Sequence, residues 1–329
     1  MNQPYRSGLP RRAALALPAL LVAIRAQGQP ASTWPDQPIR FVSTGSPGTS
    51  TDVLVRLVAE GLAERLGQPF PVDAKPGADG LIGAQAFVQA TPGSALFFTN
   101  AGTITTLPLM HERLPYDTTA DLVPIAPTCT DFLAYAVHGD FPARTLAEMF
   151  ERVRAEPGRY SWSSAPGGTY LLTLAYLKQQ GLDMPFISYR VTTQGVTDTA
   201  AGRVAMTVQP LTPLVPLAQD GRLRILAVTP ALRAPRAPEV PTAREAGFPM
   251  LEVEGFPGVF GWKGMPAPLL ARLNAMVQEI ISVPDVVERF RGLGLVPRPS
   301  TPARFAADLA SLHEKLAAVA RVYGARPAE

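Results

Sequence analysis

Two stretches of this 329-residue chain gather small polar residues where an apolar run gives way to a helical pattern. The first is Thr44-Gly45-Ser46-Pro47-Gly48-Thr49-Ser50-Thr51-Asp52, and the second runs from Ser163 and Ser164 through Gly167 and Gly168 to Thr169. The chemistry open to them is binding. A helix N-terminus presents unpaired N–H groups and a partial positive charge, and small residues ahead of it let an anion approach the backbone. Two such turns facing each other across a cleft would hold a small carboxylate without any charged side chain. Ordinary strand-to-helix turns with capping residues look the same, and the pattern alone does not separate the two.

Residues for bond-making chemistry form no comparable pattern. The Gly45–Asp52 turn lacks the lysine of a phosphate-binding loop, and Gly77, Gly80 and Gly83 are spaced G-x-x-G-x-x-G, unlike the dinucleotide fingerprint. Neither G-x-S-x-G nor H-E-x-x-H occurs. The histidines, His111, His138 and His313, lie far apart, and the polar surroundings of His138 and His313 predict solvated side chains. Cys129 is the single cysteine, so no intramolecular disulfide and no thiolate zinc cluster can form; it is expected to pack as a small apolar residue. The expectation is a binding protein with no enzymatic activity, no cofactor and no metal.

The elements that must position these turns read as alternating strands and helices. Strands are predicted at Ile39–Ser43, Phe70–Asp73, Leu96–Thr99, Leu133–Val137, Tyr160–Ser163, Phe186–Tyr189, Val204–Val208 and Ile225–Val228. Leu54, Leu57, Val58, Leu62 and Leu66 recur at helical spacing, with Gly67 as the stop. Thr145 and Glu148 form a capping box, Thr169 to Gln180 reads as a helix stopped by Gly181, and the tail is helical with Pro302 at the first position of its last helix. No internal repeat and no long linker is visible.

The N-terminus has the form of an export leader. Arg6, Arg11 and Arg12 precede the apolar run Ala13 to Ile24, too short to span a bilayer, and Ala26 and Gly28 suit a cut after Gly28. The general secretory route is favoured, with the twin-arginine route open through Arg11-Arg12. Residues 1–28 hold four of the 30 basic residues and no acid, leaving 26 basic against 27 acidic beyond them. The formal charge of +3 is therefore a property of the leader, and there is no basic stripe for nucleic acid.

Several stretches resemble the Bug-type (TctC-like) receptors of tripartite tricarboxylate transporters. In order, these are Trp34-Pro35-Asp36-Gln37-Pro38-Ile39-Arg40, Lys75-Pro76-Gly77-Ala78-Asp79-Gly80-Leu81-Ile82-Gly83-Ala84, Leu114-Pro115-Tyr116-Asp117, Leu226-Ala227-Val228-Thr229, Val240-Pro241-Thr242 and Glu245-Ala246-Gly247. The resemblance implies an α/β, type II periplasmic-binding-protein fold: two α/β lobes joined by a two-strand hinge near 126–134 and 252–260. Lobe 1 would be 33–132 plus 256–329, and lobe 2 would be 133–255. It implies a periplasmic monomer that captures a small carboxylate (a dicarboxylate, an amino acid or an aromatic acid) and delivers it to the membrane components of such a transporter. The alternative is a ligand sensor acting on a sensor kinase. The implied ligand-binding residues are Gly48, Thr49 and Asp52 of the first loop, Thr103 of Ala101-Gly102-Thr103, Ser164, Gly168 and Thr169 of the second loop, then Tyr189, Asp198 and Gln209. Gln209 stands where the family commonly has Asp or Asn, and Val191 replaces a glycine after the Tyr189-Arg190 pair.

Overall fold

The computed structural model describes residues 34–165, 167–189 and 192–324. The expected leader over 1–28 and Arg190 lie outside the described residues.

The chain opens with β1 (Arg40–Ser43), α1 (Ser50–Leu66), β2 (Val72–Ala74), α2 (Leu81–Val88) and β3 (Ala95–Asn100). Helix α1 starts where the Thr49 hydroxyl accepts the Asp52 N–H, and it stops at Gly67 in the left-handed conformation. Its apolar stripe, Leu54, Val55, Val58 and Leu62, is buried with Phe41, Leu96 and Phe98 of the strands. Short helices α3 (Ala101–Thr105) and α4 (Leu107–Met110) lead to β4 (Leu122–Pro127) and β5 (Cys129–Thr130).

Next come β6 (Leu133–His138), α5 (Leu146–Ala155), β7 (Trp162–Ser164), α6 (Gly168–Gln179), α7 (Thr192–Ala200), β8 (Met206–Pro210), α8 (Leu211–Gln219) and β9 (Leu223–Val228). Half of the expected capping box is present: Thr145 caps α5 by accepting the Glu148 N–H, while Glu148 reaches one residue further back and accepts the Arg144 N–H. The chain closes with β10 (Pro257–Trp262), α9 (Ala267–Ser282), α10 (Pro284–Gly292), β11 (Val296–Pro297) and α11 (Pro302–Tyr323).

Among the described residues the strands form two main sheets. The first has the order β2-β1-β3-β10-β4, with β1 parallel to β2 and β3, and β10 antiparallel to β3 and β4. The second has the order β7-β8-β6-β9, with β7 parallel to β8 and β6 antiparallel to both β8 and β9. A small ladder of β11 on β5 lies at the crossing, where the Asp131 N–H donates to the Gly255 carbonyl. Arg298 follows β11 and pairs with Glu254 and Asp308, and its guanidinium lies 4.6 Å from the Phe256 ring centroid. Thr130 donates to Glu254 at 2.7 Å, so both crossing segments meet one ionic cluster.

Helix α11 spans the two cores. Phe305 and Leu309 pack with Phe97 and Phe260 of the first sheet, whereas Leu316 packs with Leu171, Leu172 and Val253 beside the second. Cys129 is fully buried among apolar side chains, as expected, and burial pushes its thiol well above the ordinary value. His313 departs from the expectation: it is half-buried with Nδ1 2.7 Å from the Thr105 carbonyl, because α11 lies against the end of α3. The predicted strand Phe186–Tyr189 reduces to a single bridge from Phe186 to Trp162. Among the described residues, no helix is long and apolar enough to cross a membrane.

Candidate functional site

Strands β1 and β3 are parallel, so the turns that follow them emerge at one edge of the first sheet. Likewise β7 and β8 deliver the starts of α6 and α8 to one edge of the second. Ligands of open α/β sheets bind outside such carboxyl ends. An added Cβ on Gly167 would lie 3.8 Å from Thr106 Oγ1, so the turn before α6 approaches the segment after α3.

At the first edge the residues are occupied with one another. The Asp52 carboxylate accepts the Gly48 N–H at 3.1 Å and the Arg56 guanidinium at 3.1 Å. Its burial would raise the carboxyl, but the bonds from Arg56 and Gly48 and the Arg56 charge outweigh this and hold it below the ordinary value. Thr49 donates to Ser46 and caps α1. A hydroxyl chain joins the two turns: Thr44 meets Thr99 at 3.0 Å, Thr99 donates to Thr103 at 2.7 Å, and Thr103 donates to the Asp79 carbonyl at 3.2 Å. Gly48, Thr49, Asp52 and Thr103 are therefore brought to one edge. The acid there already supplies the negative charge that the α1 terminus favours.

The second edge is built differently. Gly167 stands at the N-cap of α6 with φ 107, a conformation that glycine tolerates, and α6 has neither a side-chain cap nor an acid in its first turn. Ser164 donates to the Ala165 carbonyl at 2.7 Å and lies 3.3 Å from the Thr169 hydroxyl. Gly168 faces elsewhere, since its Cβ would meet Val253 at 3.2 Å and Leu316 at 3.4 Å. A larger side chain there would first disturb the packing of α6 against α11, and the residue that sets the turn is Gly167, which is not among the ligand-binding residues implied by the resemblance. Two glycines in succession signalled the turn but not which of them carries the positive φ.

Beside this turn, Tyr189 donates to Asp198 at 2.7 Å, and Asp198 also accepts Arg203 at 3.0 Å. Burial, then the bond and charge of Asp198, push the Tyr189 phenol up to about 12. The Asp198 carboxyl is held below its ordinary value, first by the Tyr189 bond and then by Arg203. Gly195 of α7 lies close to both Tyr189 and Ser163. Gln209, next to Val208 which pairs with Ser164, is buried at the end of β8, and among the described residues its Oε1 has no hydrogen-bond partner.

A groove of about 360 Å³ at the opposite edge of the second sheet is lined by His138, Arg159, Tyr160 and Arg203 among others. Its arginines Arg159 and Arg203 are paired with Glu156 and Asp198. Among the described residues no cluster of three or more His, Cys, Asp or Glu could hold a metal ion.

Comparison with known proteins agrees with this architecture. The chain is 34% identical over 281 residues to a UPF0065 protein of Bordetella bronchiseptica, covering 85% of this chain and 84% of that one. It is 28% identical over 318 residues to Protein BugT of Bordetella pertussis, covering 95% and 98%. Among solved structures, Rpa4515 of R. palustris with adipate superposes with a TM-score of 0.79 at 27% identity, covering 88% of this chain and 98% of that one. MatC from Rhodopseudomonas palustris with bound malate gives 0.75 at 26%, covering 87% and 99%. The periplasmic binding protein BugD gives 0.76 at 25%, covering 89% and 99%. The two-sheet α/β architecture is thus the periplasmic-binding-protein fold, and since residues 54–311 match the tripartite tricarboxylate transporter family receptor, the chain belongs to that family of solute-binding proteins.

Proposed function

We propose that this protein captures a small carboxylate between the facing edges of its two sheets and hands it, unchanged, to the membrane components of a tripartite tricarboxylate-type transporter. The observation that carries this reading is the open N-terminus of α6, free of any side-chain cap or acid, behind the Gly167 turn and beside Ser164, Thr169 and Gln209. Such a terminus favours an anion by both its N–H groups and its dipole. The adipate and malate held by related proteins support the ligand class. In this reading 33–132 with 256–329 form one lobe and 133–255 the other. The protein works as a monomer outside the inner membrane after loss of its leader.

The test is a melting-temperature panel of mono- and dicarboxylates, acidic amino acids and aromatic acids, with a neutral sugar as control. At least one acid should raise the melting temperature, by about 2.7 kcal/mol of added stability at a hundred times its dissociation constant. Failure of every acid alongside success of the sugar overturns the reading.

A further inference from the structure

Helix α11 runs for 22 residues, about 33 Å, and its two halves are fastened to different sheets. The first half is held by the first sheet. Phe305 and Leu309 are buried in that core, Asp308 pairs with Arg298, and His313 Nδ1 lies 2.7 Å from the carbonyl of Thr105 at the end of α3. The last turns are held by the second. Leu316 is fully buried with Leu171 and Leu172 of α6 and with Val253, and Val319 packs on the same cluster. Lys315 Nζ donates to the Glu252 carbonyl, and Lys178 of α6 donates to the Tyr323 carbonyl at 2.7 Å. Leu312, between the two sets, packs against both cores.

Past Pro302 the helix contains neither Pro nor Gly, and a helix without them curves only gently. Two crossing strands by themselves would let two lobes swing. A stiff helix fastened at both ends allows that swing only if it bends near Leu312 or if its last turns slide along α6. Sliding has little room, because a Cβ on Gly168 would already lie 3.4 Å from Leu316 at the start of α6.

We infer that α11 is a third connection between the lobes: its last turns, residues 316–323, travel with the second lobe, and the helix restrains how far the lobes swing. This rests on the two-lobe reading above and transfers those residues from the lobe formed with 256–329 to the other. It does not depend on the ligand being a carboxylate.

Spin-label distances on the full-length protein test this. The labels go on exposed positions, Glu64→Cys on α1, Glu151→Cys on α5 and Val322→Cys on α11, taken in pairs, and the buried Cys129 stays unlabelled. Without ligand, the 151–322 pair should give a narrower distance distribution than the 64–151 pair. An acid that raises the melting temperature should shift the 64–151 and 64–322 distances by about 2 Å or more and leave 151–322 unchanged. Leu316→Ala, which trims the side chain that fastens the last turns, should broaden the 64–151 distribution. A label at 322 that keeps its distance to 64 while its distance to 151 changes overturns the inference and leaves the two lobes standing. A narrow 64–151 distance, the same with and without such an acid, overturns both. A folded Leu316→Ala protein with an unbroadened distribution overturns the restraint; if that variant does not fold, the label pairs in the protein with Leu316 decide. If no acid binds, the carboxylate reading falls and the ligand-free widths decide the role of α11, a 151–322 distribution as wide as that of 64–151 overturning it.

Discussion

Asp52 and Gln209 illustrate how two residues on comparable strand-to-helix edges take opposite parts. Asp52 is buried and fully engaged: it closes the turn by accepting the Gly48 N–H and is balanced by Arg56 one helical turn on. Its carboxyl is held below the ordinary value, so its contribution to stability is present above the unfolded value near 3.8 and is lost as pH falls through the lower folded value. Asp52→Asn should therefore cost about 0.5–2 kcal/mol at neutral pH, with the difference from the unaltered protein shrinking toward pH 3 in chemical denaturation. Ligand affinity should change little, because the open terminus is that of α6 rather than α1.

The crossing segments form the next level. Asp131 sits where the chain first passes between sheets, and burial pushes its carboxyl up to about 6, with only the Phe132 N–H opposing. The sign is the reverse of that for Asp52. Stability from this group is present below the unfolded value and is lost as pH rises through about 6. Asp131→Asn should raise stability at pH 7.5 by about 1–2 kcal/mol, an allowance for its partial exposure included, and by almost nothing at pH 4. Thermal melts at the two pH values check this. The neighbouring Arg298 cluster joins both crossings to α11 through Glu254 and Asp308, so the crossings and the C-terminal helix are held as one element.

Across the whole molecule, α11 ties the two sheets by burying Phe305 and Leu309 in one core and Leu316 in the other. Leu316→Ala should cost about 2–5 kcal/mol by leaving a cavity beside Leu171 and Val253. A differential scan should show the melting temperature falling. If the two lobes close on their ligand about the crossings, small-angle scattering should show a smaller radius of gyration at saturating acid. An unchanged radius in the presence of a ligand that raises the melting temperature would separate binding from closure.

The sequence alone carried what local chemistry dictates. The cap residue Thr145, the helix-opening Pro302, stops such as Gly67 and Gly181, and the apolar stripe of α1 act within a few residues of themselves, so their signals are legible in the chain. The strand β10 was not legible, because Pro257, Gly258 and Gly261 interrupt its pattern and its partners β3 and β4 lie far away in sequence. Helix α8 was hidden by Pro213 and Pro216, tolerated there because packing of Leu211, Leu214 and Val215 outweighs local propensity. The site divides in the same way. Loop composition marked both candidate turns, but only the tertiary structure decided that Gly168 faces α11 and that, among the described residues, the Gln209 Oε1 is left without a partner. Each of those outcomes depends on a neighbour brought from another element, and hydrogen bonds and packing contacts of that kind leave no trace in local spacing.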